Sequence, residues 1–174
     1  MAVLKPVPLS ETWAAMEELV RQGKVRAIGV SNFSRNRLKE ILDMASIRPV
    51  ANQIEHHPYL PQELLATFCE QNGIRLVAYS SLGSGKSPSL LRDPTIVELA
   101  TQLGMTPAQV LLSWSYSRGI PVIPRTSNPS RLEENFTLKS LAAEHIQKIG
   151  DIPTRFRYIN PVDFWKRNCF DEDE

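Results

Sequence analysis

Long apolar runs are missing from this 174-residue chain, so it holds no stretch of the roughly 20 apolar residues that a membrane-spanning helix requires. Cysteine is scarce. Cys69 and Cys169 stand alone, far apart and without the spacing of a zinc or redox site, and both read as free thiols of a reducing compartment. No sign of charge dominates either: 20 Lys and Arg face 19 Asp and Glu, a net charge of +1. These charges are scattered along the chain, which excludes the field that would draw nucleic acid or an anionic membrane. Low-complexity tracts and internal repeats are also missing. Residues 1–6 are too short and interrupted to supply the apolar core of a signal peptide, and a cytoplasmic location is the expectation. What is there, 42% hydrophobic and 22% charged positions, is the composition of one globular domain spanning 1–174, with a C-terminal helix and tail over 137–174.

Helical and extended patterns alternate. Ser10 is the expected N-cap of a helix reaching about residue 22, with Trp13, Met16, Leu19 and Val20 at helical spacing and Gly23 as its stop. A β-branched run predicts a strand at 25–30, and Leu38, Ile41 and Leu42 give a helix over 35–45 one apolar face. The cycle repeats with a strand at 50–55, a helix at 62–71 and a strand at 74–79. Helices at 95–103 and 107–117 follow, then a last strand at 120–124. A helix over 129–136, an amphipathic one near 142–149 and an irregular tail from Asp151 complete the chain.

Short apolar strands separated by helices demand parallel pairing through crossovers, so the class is α/β. Two architectures satisfy that demand: a complete open doubly wound sheet, or half of an eight-stranded barrel, which closes only with roughly 250 residues. Polar residues choose between them. An open sheet gathers its ligand groups at one switch point, whereas a barrel gathers them at the C-terminal ends of all its strands. Here every predicted strand ends in polar residues: Ser31 and Asn32; Asn52, Gln53 and Glu55; Tyr79, Ser80 and Ser81; Arg125, Thr126, Ser127 and Asn128. The barrel is therefore expected.

Three of these strand ends carry longer motifs. The run Gly23-Lys24-Val25-Arg26-Ala27-Ile28-Gly29-Val30-Ser31-Asn32-Phe33 resembles the aldo-keto reductase signature around that family's fifth strand. Asn52-Gln53-Ile54-Glu55-His56-His57-Pro58-Tyr59-Leu60 is similar to its sixth strand. Ile123-Pro124-Arg125-Thr126-Ser127, followed by Pro129, Arg131, Glu134 and Asn135, resembles the eighth strand and the helix after it. In order and spacing the likeness runs from about Val7 to Phe136, nearest in wording to fungal xylose-reductase-like and glycerol-dehydrogenase-like members. It implies the C-terminal half, strands 5 to 8, of a (β/α)8 TIM barrel, and an NADP(H)-dependent reductase acting on an aldehyde, ketone or sugar.

The resemblance gives each strand end a role that suits its chemistry. Ser31, Asn32 and Gln53 would hold the nicotinamide carboxamide, which needs donors and acceptors in fixed directions, and Tyr79 would stack on the ring. Read without the resemblance, Ser31 and Asn32 cap the next helix, and Tyr79 is a core aromatic with a wet tip. Arg125 and Arg131 would clamp the 2′-phosphate beside Thr126, Ser127 and Asn128, helped by the positive end of the helix starting near Pro129. Glu134 and Asn135 would meet the adenine. An ordinary i,i+3 pair between Arg131 and Glu134 is the alternative use of that arginine. The family usually has Lys where Arg125 stands, so the charge is kept and the shape altered.

The run Ser80-Ser81-Leu82-Gly83-Ser84-Gly85-Lys86-Ser87 offers a rival reading, since after a strand it nearly spells a P-loop and hence a nucleotide hydrolase. Yet Ser80 stands where the first glycine belongs, and Pro88 and Pro94 delay the helix that should begin at Lys86 and Ser87. In the family this segment folds over the pyrophosphate, which implies cofactor contacts from Ser80, Leu82 and Ser84. No metal set is expected, because His56 and His57 lack a third ligand at metal spacing. His145 is assigned to a solvated helix face and Trp114 to a buried stripe.

The resemblance also implies an absence. The family's proton-donating tyrosine, with its assisting aspartate, lysine and histidine, belongs to the first half of the barrel, and none of Tyr59, Tyr79, Tyr116 and Tyr158 sits in that motif. No catalytic residue is assigned. The chain by itself is expected to be inactive, either working with a complementary half or standing as a non-catalytic nucleotide-binding or scaffolding half-barrel. Arg155, Phe156, Tyr158, Asn160, Pro161 and Trp165 are expected to face substrate from the tail, and open strand edges at 25–30 and 120–124 to favour self-association.

Overall fold

The computed structural model describes residues 7–160 and 170. Its elements alternate as α1 (Leu9–Arg21), β1 (Val30–Ser31), α2 (Arg35–Met44), β2 (Ala51–Glu55), α3 (Glu63–Gln71), β3 (Arg75–Tyr79), α4 (Pro94–Leu103), α5 (Pro107–Ser117), α6 (Pro129–Phe136) and α7 (Ala143–Gly150), with short 3-10 turns at Gly83–Gly85 and Leu90–Arg92. Local chemistry sets the helix starts. Ser34 caps α2, Asp93 caps α4, Asn128 caps α6, and Thr106 with Gln109 forms a reciprocal capping box on α5. Proline opens α4, α5 and α6, where its missing N–H has no helical partner to lose. α1 departs from expectation: Pro8 occupies the capping position and Ser10 lies inside the helix. The fixed φ of the proline ring starts the helix ahead of the serine.

Three parallel strands pair in chain order, β1-β2-β3. Ser31 lies opposite Gln53, and Glu55 opposite Tyr79. Among the described residues the order never reverses, so the switch point of an open doubly wound sheet is missing and the strands succeed one another as in a barrel. Two predicted strands are shorter than their patterns. Of 25–30 only Val30 joins the ladder, though the Ile28 carbonyl accepts from the Val50 N–H. The 120–124 segment contributes one parallel bridge, Val122 to Ala78. Among the described residues each has a neighbour on one side only, and Pro121 and Pro124 supply no donors to a ladder. Gly29 sets the spacing at β1, because a Cβ there would stand 2.8 Å from the Ala51 carbonyl oxygen.

Alternate strand residues Ile54, Leu76 and Ala78 pack with Leu38, Leu65 and Cys69 of α2 and α3. A second cluster joins Ile96 and Leu99 of α4, Leu111 and Trp114 of α5, and Ile149 of α7 to Ile152 and Tyr158 of the tail. Each such aliphatic or aromatic side chain gains about 1.5–3 kcal/mol from burial. α1 is fastened by Trp13 against Ile28 and Ile41, and by the Glu17 carboxylate, which accepts from the N–H groups of Ser46 and Ile47 at 2.7 and 2.9 Å. His145 corrects its assignment to a solvated face, since its side chain is only 14% exposed. Among the described residues no helix is long and apolar enough to cross a membrane, and no His, Cys, Asp and Glu group could hold a metal ion.

Candidate cofactor site at the strand ends

The parallel register brings the C-terminal ends of β1, β2 and β3 side by side, and Ser31, Asn32, Gln53 and Tyr79 meet there. The Asn32 N–H and the Ser31 hydroxyl both donate to the Gln53 carbonyl at 2.9 Å. The Tyr79 hydroxyl donates to Asn32 Oδ1 at 2.9 Å. Asn32 holds φ at 58°, a left-handed conformation its short polar side chain tolerates. Burial, reinforced by the Glu55 carboxylate, pushes the Tyr79 phenol up to about 12, so it stays protonated and donating at neutral pH. The helix-cap alternative for Ser31 and Asn32 falls away, because Ser34 caps α2. Behind the cluster the fully buried Asn52 brackets Phe33: its Oδ1 accepts from the Phe33 N–H at 3.3 Å and its Nδ2 donates to the Phe33 carbonyl at 2.8 Å. These two bonds fix the turn that presents Ser31 and Asn32.

The loop after β3 carries the next group. Ser80 and Ser84 both adopt positive φ, at 54° and 53°, and the Ser84 hydroxyl donates to Ser80 Oγ at 2.7 Å. Leu82 packs against the α4–α5 core, which commits its side chain inward. The P-loop alternative does not fit this geometry. The 3-10 turn over Gly83–Gly85 gives way to extended backbone at Lys86, where a phosphate-facing helix should begin, Lys86 Nζ donates to the Tyr158 carbonyl at 2.8 Å, and the next α-helix starts only at Pro94 under an Asp93 cap.

The third group surrounds the start of α6. Thr126 Oγ1 accepts from the Asn128 N–H at 3.1 Å, and Asn128 Oδ1 accepts from the Ser130 N–H at 3.0 Å, so the Asn128 side chain serves the cap. Arg125, Ser127 and Arg131 are exposed around it. The Arg131–Glu134 pair is not formed: Glu134 instead accepts from the hydroxyl of Thr106, the α5 cap. That bond turns Glu134 towards α5, while Asn135 is half-buried beside it.

Residues 2–152 match the family described as "Aldo/keto reductase family". The chain belongs to that family. It is 45% identical over 170 residues to glycerol 2-dehydrogenase (NADP(+)) of Hypocrea jecorina, covering 94% of this chain and 54% of the relative. With aldose reductase B of Dictyostelium discoideum the identity is 43% over 171 residues, covering 97% and 55%. A relative from Candida parapsilosis, 38% identical over 174 residues and covered to 54%, is an NADH-dependent D-xylose reductase. Among solved structures, aldose reductase from Giardia lamblia superposes with a TM-score of 0.90 at 38% identity, over 98% of this chain and 59% of that one. The chain thus spans a little over half the length of these relatives.

Sequence reasoning missed several residues that organise this aldo/keto reductase chain. Glu55 is fully buried, and its carboxylate accepts from the Tyr158 N–H at 2.6 Å, the Ile159 N–H at 2.9 Å and His57 Nε2 at 2.9 Å. A buried carboxylate requires such donors, which was the one available signal. Arg157 flanks Asn32 and Phe33 together with Phe170, its guanidinium 3.7 Å from the Phe170 ring centroid. The substrate-facing tail set is corrected at Tyr158. Tyr158 is buried in the core, and Arg155 turns back to donate to the carbonyls of Ile152 and Thr154. Phe156 remains 38% exposed and Asn160 exposed, whereas Pro161 and Trp165 lie outside the described residues. Burial, aided by the Arg118 charge, lowers His56 to about 3; neutral and stacked 5.0 Å from Trp114, it is a core residue.

Proposed function

We propose that the chain is the cofactor-holding C-terminal half, strands 5 to 8, of an NADP(H)-dependent carbonyl or aldose reductase barrel, whose complete form takes a small aldehyde, ketone or sugar. The observation that carries this reading is the junction of Ser31, Asn32, Gln53 and Tyr79 on adjacent strand ends. It fixes the Ser31 and Tyr79 hydroxyls and the Asn32 amide in direction, with Gln53 contributing its backbone carbonyl, which suits the donors and acceptors of a nicotinamide carboxamide. The cofactor, when bound, supplies a hydride. The protein's own residues bind and orient: the junction holds the nicotinamide, Ser80, Leu82 and Ser84 line the pyrophosphate path, and Arg125 with Arg131 meets the 2′-phosphate beside Thr126, Ser127 and Asn128. Glu134 and Asn135 follow on α6 towards the adenine. Support for NADP(H) comes from the exposed arginine pair and from the Hypocrea jecorina relative; the Candida parapsilosis relative sets the alternative, NADH.

Proton delivery is not expected from this chain. Burial raises Tyr59, Tyr79 and Tyr158 above the usual tyrosine value, the opposite of what a general acid working near neutrality needs. The purified chain mixed with NADPH and glyceraldehyde or xylose should therefore leave the NADPH absorbance unchanged. Turnover near that of a full-length reductase would refute the assignment. Adding a polypeptide that carries the first-half tyrosine motif should restore reduction, and a failure to do so would favour the scaffolding alternative.

A further inference from the structure

Tyr158 grips the loop after β3 and the end of β2 at once. Its N–H donates to Glu55 Oε1 at 2.6 Å, its carbonyl accepts from Lys86 Nζ at 2.8 Å, and its hydroxyl donates to the Pro88 carbonyl. The residue is 4% exposed, with its ring set edge-on to His57 and Phe156, 5.0 Å between centroids in each pair. The ring also lies against Gly83. At φ +80° a Cβ on Gly83 would meet Tyr158 Cζ at 3.1 Å and the hydroxyl oxygen at 3.2 Å, so the loop backbone and the tail ring are in direct apposition.

The loop depends on such external ties. Ser80 and Ser84 both hold positive φ, a conformation that persists in non-glycine residues only where the surroundings enforce it. The anchor, in turn, is firm: the Glu55 carboxylate is fully buried, sits opposite Tyr79 in the strand register, is held by His57 at the same oxygen that takes the Tyr158 N–H, and accepts from the Ile159 N–H at its other oxygen. One residue further back, Arg157 lies beside Asn32 and Phe33. The tail therefore reaches both ends of the proposed cofactor path, the nicotinamide junction through Arg157 and the phosphate loop through Tyr158.

We propose that Tyr158 is a latch, a positioning residue that couples the conformation of loop 80–88 to the seating of the tail over the strand ends. Its consequence for NADPH rests on the proposed cofactor role; its geometry does not. Because coupling between two segments is reciprocal, loosening either one must loosen the other, and whatever fastens the loop protects the tail. A purely structural tyrosine would loosen its own surroundings and leave NADPH affinity unchanged.

The test combines amide hydrogen exchange with NADPH titration on the full chain and on Tyr158→Phe and Lys86→Met. Tyr158→Phe keeps the ring and removes the hydroxyl with its bonds to the backbone of Pro88 and Leu90. Exchange at residues 83–87 should accelerate more than in β2 and β3, and NADPH affinity should fall by about threefold to tenfold, the scale of one hydrogen bond. Lys86→Met, altered in the loop, should speed exchange at residues 157–160 of the tail. Unchanged tail exchange in Lys86→Met, or unchanged loop exchange in Tyr158→Phe, would overturn the latch. Reciprocal loosening in a chain that does not bind NADPH would uphold the latch and refute the cofactor reading.

Discussion

Arg131 stands exposed in the first turn of α6, with its i,i+3 neighbour Glu134 engaged by Thr106 instead. The proposed contact of its guanidinium with the 2′-phosphate predicts that replacing it separates the two dinucleotides. Arg131→Ala should weaken NADPH binding by about 1.5–3 kcal/mol, the value of a well-formed charge-assisted contact, and leave NADH nearly unchanged. Isothermal titration with both cofactors decides it, since equal losses would make the arginine structural. At this scale the sequence was informative where contacts are local. Ser31, Asn32, Gln53 and Tyr79 lie at the polar ends of apolar runs and the structure brings them together, but their proposed role came from the resemblance and not from that polarity. Glu55 could not be given its role, because its partners Tyr158 and Ile159 are 103 and 104 positions away. Nor could Arg157 be preferred to Arg155, since an irregular tail has no period to say which side chain turns towards the site.

The helices were legible within a residue or two, because caps and apolar spacing are written in neighbouring positions. Strands were less so. A strand exists only as far as its neighbours pair with it, and β1 has two residues, Val30 and Ser31, in the ladder where the apolar pattern began at Val25. Gly29 shows how closely this pairing is set. With a Cβ placed 2.8 Å from the Ala51 carbonyl oxygen, Gly29→Ala must push β1 from β2 and disturb Ser31 and Asn32 beyond it. The expected cost is about 1–3 kcal/mol, as for an overpacked core, with NADPH affinity falling alongside. Urea denaturation of the variant measures the first effect, and a stability equal to wild type would mean that the two strands have slack the packing does not show. The P-loop alternative fails at this scale too, because the chain turns extended at Lys86, directly after Gly85, and no helix begins there.

Across the whole molecule, the described surface leaves unusual apolar area open. Leu132 and Phe136, one turn apart on α6, are 58% and 92% exposed, and Ile123 in the outer segment before it is 48% exposed. With the short edge at β1, these features mark faces that seek cover. Two copies related by a two-fold axis offer one such cover, restoring a closed ring of strands, and concentration-dependent self-association is expected in analytical ultracentrifugation. A compact monomer at every concentration would count against that assembly and leave a complementary half as the candidate partner.

Cofactor binding without turnover is the central expectation for this chain, and a fluorescence titration of NADPH with the purified protein measures it directly. Saturable binding, competed by NADP+ and weakened in Arg131→Ala, is the expected result. No saturable binding by a folded chain would contradict it.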